Sequence, residues 1–323
     1  MTCFAQSKQA FEGFIEDLSR DAQVIAPKQT DVTRFERISV ASEIDLSVQS
    51  YTPVKEFFFP QRSVVFEFDG DELSVPAYDT SEKVFFGLRR CDLNAIRHQD
   101  LVFEELEDPA YTALRKNTVL IGYHCPTPPS TYCFCGSLEL VEFFDLMYFD
   151  RGEYWIVEVG SQRGAALVER YRERFDDSSV VISDEEKVIP GSDRLNSTDI
   201  ADHYDDPAWQ QGVDLCLSCG ACTSLCPTCY CFEFKDEVTT ADPSKGERVR
   251  EWSSCQVSGF TRVAGDHVFR DDRASRFKHR IYHQLVYFAE RYGVNMCVGC
   301  GRCILGCPTR IDFVPMINGM IDA

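Results

Sequence analysis

The strongest constraint on this 323-residue chain is a cysteine spacing that occurs twice. The two copies are Cys216-x2-Cys219-x2-Cys222-x3-Cys226-Pro227, here the first run, and Cys297-x2-Cys300-x2-Cys303-x3-Cys307-Pro308, here the second run. This spacing is typical of loops that hold a [4Fe-4S] cluster. Three thiolates on a tight loop can bind three irons of one cube, while the fourth cysteine, a short helical step later, points towards another cube.

The spacing therefore predicts two clusters that exchange their fourth ligand. The predicted ligand sets are Cys216, Cys219, Cys222 and Cys307 for one cluster, and Cys297, Cys300, Cys303 and Cys226 for the other. Glycine follows the second cysteine of each run, where a side chain would obstruct the amides that crowd the sulfurs. Zinc is the alternative, but it takes four ligands in two close pairs, and this array fits that pattern poorly.

Composition narrows the class of protein and its compartment. The net charge of −19 and the pI of about 4.7 argue against nucleic acid or an anionic membrane as a partner. We expect no signal peptide and no membrane span, because the pattern of a charged segment followed by a long apolar run is missing. The sixteen cysteines then indicate thiolate ligands in a reducing cytoplasm rather than disulfides.

The pattern of apolar residues predicts an α+β fold with two domains. A mixed α/β N-terminal domain is expected over residues 1–195, with a helix over 4–20, an antiparallel hairpin or meander over 33–68, and a linker near 176–198. A ferredoxin-like domain is expected over 196–323, and it would bind both clusters and carry a long insertion over 227–296. A helix is predicted over 277–292, with Gly293 as its C-cap.

Four further cysteines fall close together in the N-terminal domain. Cys91 and Cys125 each follow an apolar strand, and Cys133 and Cys135 come from the next loop. Two strands that end at cysteines suggest ligands delivered to one sheet edge, and Asp92 is expected to cap the helix that begins beside Cys91. The candidates are a third [4Fe-4S] cluster, a zinc site, a redox disulfide or buried structural thiols.

The insertion contains three thiols that lack an obvious fourth partner. Cys229, Cys231 and Cys255 could hold a further cluster with a non-cysteine ligand, for which His267 is the candidate, or they could pack around the two cubes. Cys3 is expected to be a free thiol. Gly160-x3-Gly164 lacks the GxGxxG and P-loop patterns, so we expect no nucleotide site. The other histidines are expected to have no special role.

With these motifs in hand, the chain resembles the β (iron–sulfur) subunits of cytoplasmic NiFe sulfhydrogenases and the corresponding iron–sulfur subunits of anaerobic sulfite reductases. The resemblance covers nearly the full length. The matching segments are Phe57-Phe-Phe-Pro60, Gly87-Leu-Arg-Arg-Cys91-Asp-Leu-Asn-Ala-Ile96, Cys133-Phe-Cys-Gly-Ser137, Cys216-Leu-Ser-Cys-Gly-Ala-Cys-Thr, Cys226-Pro-Thr-Cys-Tyr-Cys-Phe232, Trp252-Ser-Ser-Cys255, Gly259-Phe260 and Cys297-Val-Gly-Cys-Gly-Arg-Cys303. It implies an electron-transfer protein beside a flavin- and NAD(P)-binding subunit, and it favours the third cluster.

Three hypotheses about function follow. The first is a cytoplasmic relay that passes single electrons through [4Fe-4S] clusters between a flavin/NAD(P) subunit and a catalytic subunit of the hydrogenase or sulfite reductase type. The second is an independent iron–sulfur enzyme with a substrate-binding cluster in the insertion. The third is a metal-stabilised scaffold that only docks partners. No catalytic base or nucleophile stands in a recognisable motif, and this favours the relay.

Overall fold

The computed structural model describes residues 2–322, which form two β-sheets and a set of helices. The strands are β1 Cys3–Ser7, β2 Gln23–Gln29, β3 Thr33–Ile38, β4 Arg62–Asp69, β5 Glu72–Ser74, β6 Lys83–Leu88, β7 Thr118–Tyr123, β8 Leu146–Asp150, β9 Tyr154–Val159, β10 Asp176–Ser178, β11 Phe232–Val238 and β12 Lys245–Trp252. The α-helices are α1 Lys8–Asp21, α2 Arg90–Glu105, α3 Pro109–Arg115, α4 Gln162–Arg170, α5 Asp184–Lys187, α6 Trp209–Leu215, α7 Ala221–Ser224, α8 Arg273–Tyr282, α9 Phe288–Tyr292, α10 Arg302–Leu305 and α11 Val314–Ile321. The mixture of helices and strands confirms the predicted fold class.

The larger sheet has eight strands in the order β10-β1-β9-β8-β7-β6-β2-β3. Strands β2, β6, β7 and β8 are parallel neighbours, and the others pair antiparallel. Both β6 and β7 are buried along their whole length, which explains their nearly unbroken apolar sequences. Val84 and Phe86 pack into one core and Phe85 into another, as the two-residue period of a strand requires. A register shift between Phe86 and Leu88 then places Leu88 in the same core as Phe85.

The first helix begins later than its apolar spacing predicts. The prediction over residues 4–20 is wrong at its start, because Phe4 belongs to β1, which pairs antiparallel with β9. The Ser7 hydroxyl accepts a hydrogen bond from the Ala10 amide at 3.1 Å and caps the helix. The predicted apolar face is confirmed, because Phe14 and Leu18 are fully buried.

The smaller sheet joins segments that are far apart in the chain. Its order is β11-β12-β4-β5, so strands of the insertion pair with a hairpin of the N-terminal half. The antiparallel hairpin or meander predicted over 33–68 is wrong as one unit, because β3 pairs with β2 in the large sheet and β4 pairs with β12. The boundary near residue 195 stays a prediction, and the two segments share backbone hydrogen bonds across it.

The C-terminal helices form a core that also includes residues of the N-terminal half. Trp209, Ile281 and Ile317 are buried in one cluster with Phe134 and Leu138. Helix α8 continues through a π-helical turn, His283–Tyr287, into α9, and the chain then adopts a left-handed conformation at Gly293. The predicted helix over 277–292 and its glycine cap are therefore confirmed. Two parts of the chain thus share the core on which the cysteine loops lie.

Candidate metal centres

All eight cysteines of the two runs line one cavity. Its walls include Cys216, Cys219, Cys222, Cys226, Cys297, Cys300, Cys303 and Cys307. Phe134 and Phe277 also line it, and both side chains are buried. The sequence motif is therefore assembled in space around one cavity with thiol donors and apolar walls. This donor set fits cubes that are held by thiolates.

The arrangement of the donors fits a cube better than a single ion. Zinc requires four donors within about 2.3 Å of one point. Within residues 2–322, no three His, Cys, Asp or Glu side chains converge in the manner that one metal ion needs. A cube is a larger body, and its ligands stand apart on the walls of a cavity, as these thiols do.

Cys226 lies beside the cysteines of the second run. Its thiol donates to Gln284 Oε1 at 3.7 Å, and the backbone oxygen of Gln284 accepts from the Cys297 amide at 3.1 Å. Burial raises the pKa of Cys297 to about 12, and the nearby Cys226 sulfur contributes to the rise. Burial and Cys226 likewise raise the pKa of Cys300 and Cys303. Cys226 is therefore close enough for its charge to act on all three thiols with which ligand exchange would group it.

The turns of both runs depend on left-handed backbone conformations. Gly220 and Gly301 have φ of 78° and 71° and lead into the short helices α7 and α10. Ser218 and Gly299, which stand at equivalent positions, have φ of 53° and 63°. The left-handed conformation costs free energy in any residue that has a side chain, so the surrounding structure must hold these loops in shape.

The N-terminal cysteines line a second cavity. Strands β6 and β7 are adjacent and parallel, so Cys91 and Cys125, which follow their carboxyl ends, lie at one edge of the sheet. Cys133 and Cys135 complete the wall of this cavity, and Cys300 of the second run lines it as well. The same cysteine thus forms part of both cavities.

Asp92 does not cap helix α2 in the predicted way. The N-cap is Arg89, and Asp92 is the third helical residue, whose carboxylate accepts the Arg89 amide at 3.1 Å. The chain reaches helical geometry as soon as β6 ends, so the N-cap lies three residues earlier than predicted and the helix begins at Arg90. Cys91 nevertheless lies in the first helical turn, as expected, where the amides and the helix dipole favour negative charge.

Polar donors face the thiols of the N-terminal site. Gln49 Nε2 donates to Cys91 Sγ at 3.4 Å, and Arg89 Nη1 donates to Cys125 Sγ at 3.6 Å. Burial raises the pKa of Cys133 to about 12 and that of Cys135 to about 11. Thiolates at this site therefore require compensating positive charge, which the arginine supplies in part and a bound metal centre would complete.

The N-terminal site is packed directly on the second run. The Phe134 amide donates to the Gly299 oxygen at 2.8 Å, and the Cys133 thiol lies 3.8 Å from the Cys300 oxygen. A Cβ on Gly299 would stand 2.5 Å from the Cys135 nitrogen. Only glycine permits this approach of two backbones, so the two sites are separated by little more than one loop.

The three cysteines of the insertion also come together. Cys231 lies close enough to Cys229 and Cys255 for the three thiols to shift one another's pKa, and Cys229 and Cys255 are buried. The hydrogen bond from Cys231, assisted by the charge of Lys55, lowers the pKa of Cys229 despite burial. The structure thus forms a thiol triad within the protein, whose function the sequence leaves open.

The histidine proposed for this triad lies elsewhere. His267 is exposed, and its ring packs edge-on against Phe269 with centroids 4.8 Å apart. The histidine close enough for the Cys229 charge to affect its pKa is His283, which hydrogen-bonds the Tyr230 hydroxyl at 3.4 Å. The loop that carries His267 turns outward, because the Val263 amide bonds back to the His267 oxygen.

Sequence reasoning missed the buried cations around the cysteines. Lys55 is 3% exposed and donates to the Cys229 oxygen at 2.9 Å, and its ammonium group stands 4.0 Å from the centroid of the Trp252 ring. Arg302 is 2% exposed and pairs with Asp92. Arg302 differs from Ala221, the equivalent residue of the first run, but this difference does not by itself indicate a buried cation. For Lys55 no local pattern indicates burial.

Residues 2–322 include no helix with the length and apolar character needed to span a bilayer.

Two comparisons with known proteins then bear on the family. A family model described as a 4Fe-4S dicluster domain matches residues 215–311, which contain both runs. Sulfhydrogenase 2 subunit beta of Pyrococcus furiosus is 33% identical over 324 residues, with 95% of each chain covered. The chain therefore belongs to the family of sulfhydrogenase β subunits and has a 4Fe-4S dicluster domain at its C-terminal end.

Proposed function

We propose that this chain is the electron-transfer subunit of a cytoplasmic multi-subunit oxidoreductase. It would relay single electrons between a flavin- and NAD(P)-binding subunit and a catalytic subunit. The observation that carries the proposal is the contiguity of the cysteine-lined cavities, because Cys300 lines both of them. A chain of adjacent redox centres is what a relay needs, and a docking scaffold has no use for it.

The ligand sets follow the predicted exchange. The first cluster would be held by Cys216, Cys219, Cys222 and Cys307, the second by Cys297, Cys300, Cys303 and Cys226, and the third by Cys91, Cys125, Cys133 and Cys135. When bound, these clusters supply one-electron redox chemistry. The position of Cys226 beside the second run supports the exchange. The cavity shared by the four N-terminal thiols supports the third set.

The protein's own residues would bury the centres and balance their charge. Phe134 is fully buried and lines the larger cavity, so it helps to exclude water there. Arg280 donates to the Cys222 oxygen at 3.1 Å and Arg89 to the Cys125 sulfur at 3.6 Å. Cations close to thiolate-bound centres stabilise the more negative, reduced state, so these arginines would raise the reduction potentials.

The catalytic partner is proposed to be of the NiFe hydrogenase type. The similar protein of Pyrococcus furiosus is named as a subunit of a sulfhydrogenase, which supports this choice over a sirohaem sulfite reductase. The alternative of an independent enzyme gains no support from the thiol triad, because Cys229 is 4% and Cys255 is 2% exposed. A substrate would have no direct access to sulfurs that are buried to this degree.

The first test is the content of iron and acid-labile sulfide in the anaerobically purified chain, with EPR of the reduced sample. Three cubes would give about twelve irons per chain, and two would give about eight. About sixteen would bring the triad Cys229, Cys231 and Cys255 into the relay. Little iron together with stoichiometric zinc would contradict electron transfer altogether.

A matched pair of variants locates the third centre. Cys135→Ser should lower the content from about twelve irons to about eight, because one ligand of the N-terminal set is lost. Cys3→Ser is the control, since Cys3 is buried in β1 and lines neither cavity. Equal loss of iron in both variants would mean general destabilisation, and no loss in either would remove the third cluster from the proposal.

The relay itself is tested by adding the flavin-binding partner of the complex to the purified chain. NAD(P)H should reduce the EPR-active centres when that partner is present, and it should fail to do so when the chain is alone. Reduction by NAD(P)H without the flavin-binding partner would favour an independent enzyme. No reduction in either case, with clusters intact, would favour the scaffold.

A further inference from the structure

We infer that the buried ion pair between Asp92 and Arg302 is an electrostatic link that sets the relative potentials of the N-terminal centre and the second cluster. The inference rests on the proposed function, because it concerns centres bound at these cysteines. It adds two positioning residues that are not cluster ligands.

The pair is buried and held on several sides. Arg302 Nη1 lies 2.8 Å from Asp92 Oδ1, and the two side chains are 2% and 1% exposed. Arg302 Nε donates to the Ser50 oxygen at 2.8 Å, and the other carboxylate oxygen of Asp92 accepts the Arg89 amide at 3.1 Å. Neither charge can turn towards water, so each acts at a fixed place.

Each partner belongs to a different cysteine site. Asp92 follows Cys91 directly, and Arg302 stands between Cys300 and Cys303. Their ion pair places both charges beside both sites, and Cys300 lines the cavity of the N-terminal cysteines as well as that of the two runs. The guanidinium therefore acts on the N-terminal site and on the second run together, across the wall that Cys300 forms between them.

The fold of a cysteine run does not require this charge. In the first run the equivalent position is Ala221, and the backbone there adopts the same left-handed glycine and short helix as in the second run. A buried ion pair is also a poor source of stability, because each ion loses its hydration and apolar replacements are often as stable. Beside a redox centre, such a pair instead changes the energy of the added electron.

The two members of the pair should act in opposite directions. A positive charge favours the reduced centre, so Arg302→Met should lower the potentials of both the N-terminal centre and the second cluster. Asp92→Asn removes a negative charge and should raise them, with the larger shift at the N-terminal centre beside Cys91. The double variant, which removes both charges, should return both potentials close to those of the wild type.

The experiment is an EPR-monitored redox titration of the full chain with its clusters, carried out on the wild type, the two single variants and the double variant. The N-terminal signal is identified by its loss in Cys135→Ser. Arg115→Met is the matched control, because Arg115 forms a partly buried ion pair with Asp100 at 3.1 Å and lines neither cavity. It should reduce stability without shifting any potential.

Opposite shifts in the single variants and recovery in the double variant would support the link. Arg302→Lys keeps the charge and should leave both reduction potentials close to those of the wild type. This variant separates the effect of charge from that of shape if Arg302→Met does not fold. Intact clusters with unmoved potentials, or shifts of the same sign in both single variants, would overturn the inference while leaving the proposed function in place. A wild type without iron would overturn both.

Discussion

The two cysteine runs share their spacing but differ in what surrounds them. In the first run Cys219 and Leu217 face solvent, and Leu217 is 63% exposed. In the second run the equivalent residues are Cys300 and Val298, which are 7% and 2% exposed. The same type of loop therefore lies at the surface in the first run and inside the molecule in the second.

The difference arises from the loop of residues 132–135, which covers only the second run. A Cβ at Gly299 or Gly301 would stand 2.5 Å from Cys135 or 2.7 Å from Tyr132. At the position of Gly299 the first run has Ser218, so a Cβ is accommodated there at a similar left-handed φ of 53°. The two runs thus have the same spacing, while the covering loop decides which of them lies against the N-terminal cysteines.

The largest expected effect tests the contact between the covering loop and the second run. Gly299→Ala would place a methyl group against the Cys135 backbone at a φ of 63°. We expect a loss of about 3 kcal/mol in the free energy of unfolding, from overpacking and from the left-handed conformation. Denaturant unfolding of the purified chain measures it.

The matched control for that variant is Ser218→Ala in the first run. Ser218 already has a Cβ at a φ of 53°, so the change should alter stability by no more than about 0.5 kcal/mol. Similar losses in both variants would mean that the covering loop does not distinguish the two runs.

The next effect concerns the apolar residue after the first cysteine of each run. Val298→Ala creates a cavity at a site that is 2% exposed and should cost about 2 kcal/mol. Leu217→Ala removes a larger side chain at an exposed position and should change stability by less than about 0.5 kcal/mol. Thermal unfolding measures both, and a greater loss for Leu217→Ala would reverse the comparison.

Thiol reactivity should separate the second cysteine of each run. In the cluster-free chain, Cys219 is exposed, while burial protects Cys300 and raises its pKa. We expect a short pulse of iodoacetamide near pH 8 to modify Cys219 at least about tenfold faster, because only an accessible thiolate reacts. Mass spectrometry of the digested chain gives the two rates. Equal rates in a chain whose circular dichroism is native would contradict the difference in burial.

The smallest expected effect is a pH dependence of stability that comes from a histidine on the helix beside the first run. Helix α8 borders that run, since Arg280 donates to the Cys222 oxygen, and burial lowers the pKa of His279 on this helix to about 4. The unfolded state, with a histidine pKa of about 6.5, binds more protons in this range, so stability falls as the pH drops from about 6.5 to 4.

Because His279 is only half-buried, the loss should be about 1 kcal/mol or less. His279→Gln should lessen this fall while leaving the unfolding midpoint at pH 7.5 almost unchanged. Thermal unfolding at several pH values measures both chains. Parallel curves for the two chains would show that another group causes the acid sensitivity.

Local patterns allowed much of the secondary structure to be predicted. The spacing of Phe14 and Leu18 identified the buried face of α1, and the apolar runs before Cys91 and Cys125 identified β6 and β7. The errors occur where the secondary structure depends on pairing with a segment that is distant in the sequence. Phe4 joins a strand because β9 lies beside it, and β4 leaves the predicted meander because β12 of the insertion pairs with it.

The candidate site shows the same division. The cysteines could be identified from their spacing, because ligand geometry constrains residues that are close in sequence. Lys55 and Arg302 could not be identified as buried cations, since each is buried by segments far away in the chain. His267 is a candidate ligand for the triad on residue type alone, and its loop turns it towards solvent.

The sequence by itself determined the two cysteine runs, the turns that glycine permits and the class of cofactor that such loops bind. These properties depend on residues a few positions apart, where covalent geometry leaves little choice. Only the tertiary structure decided that Cys300 is shared between two cavities, that Arg302 faces Asp92, and that the first run stays at the surface. Burial and ion pairing depend on which segments meet, and no local pattern records that.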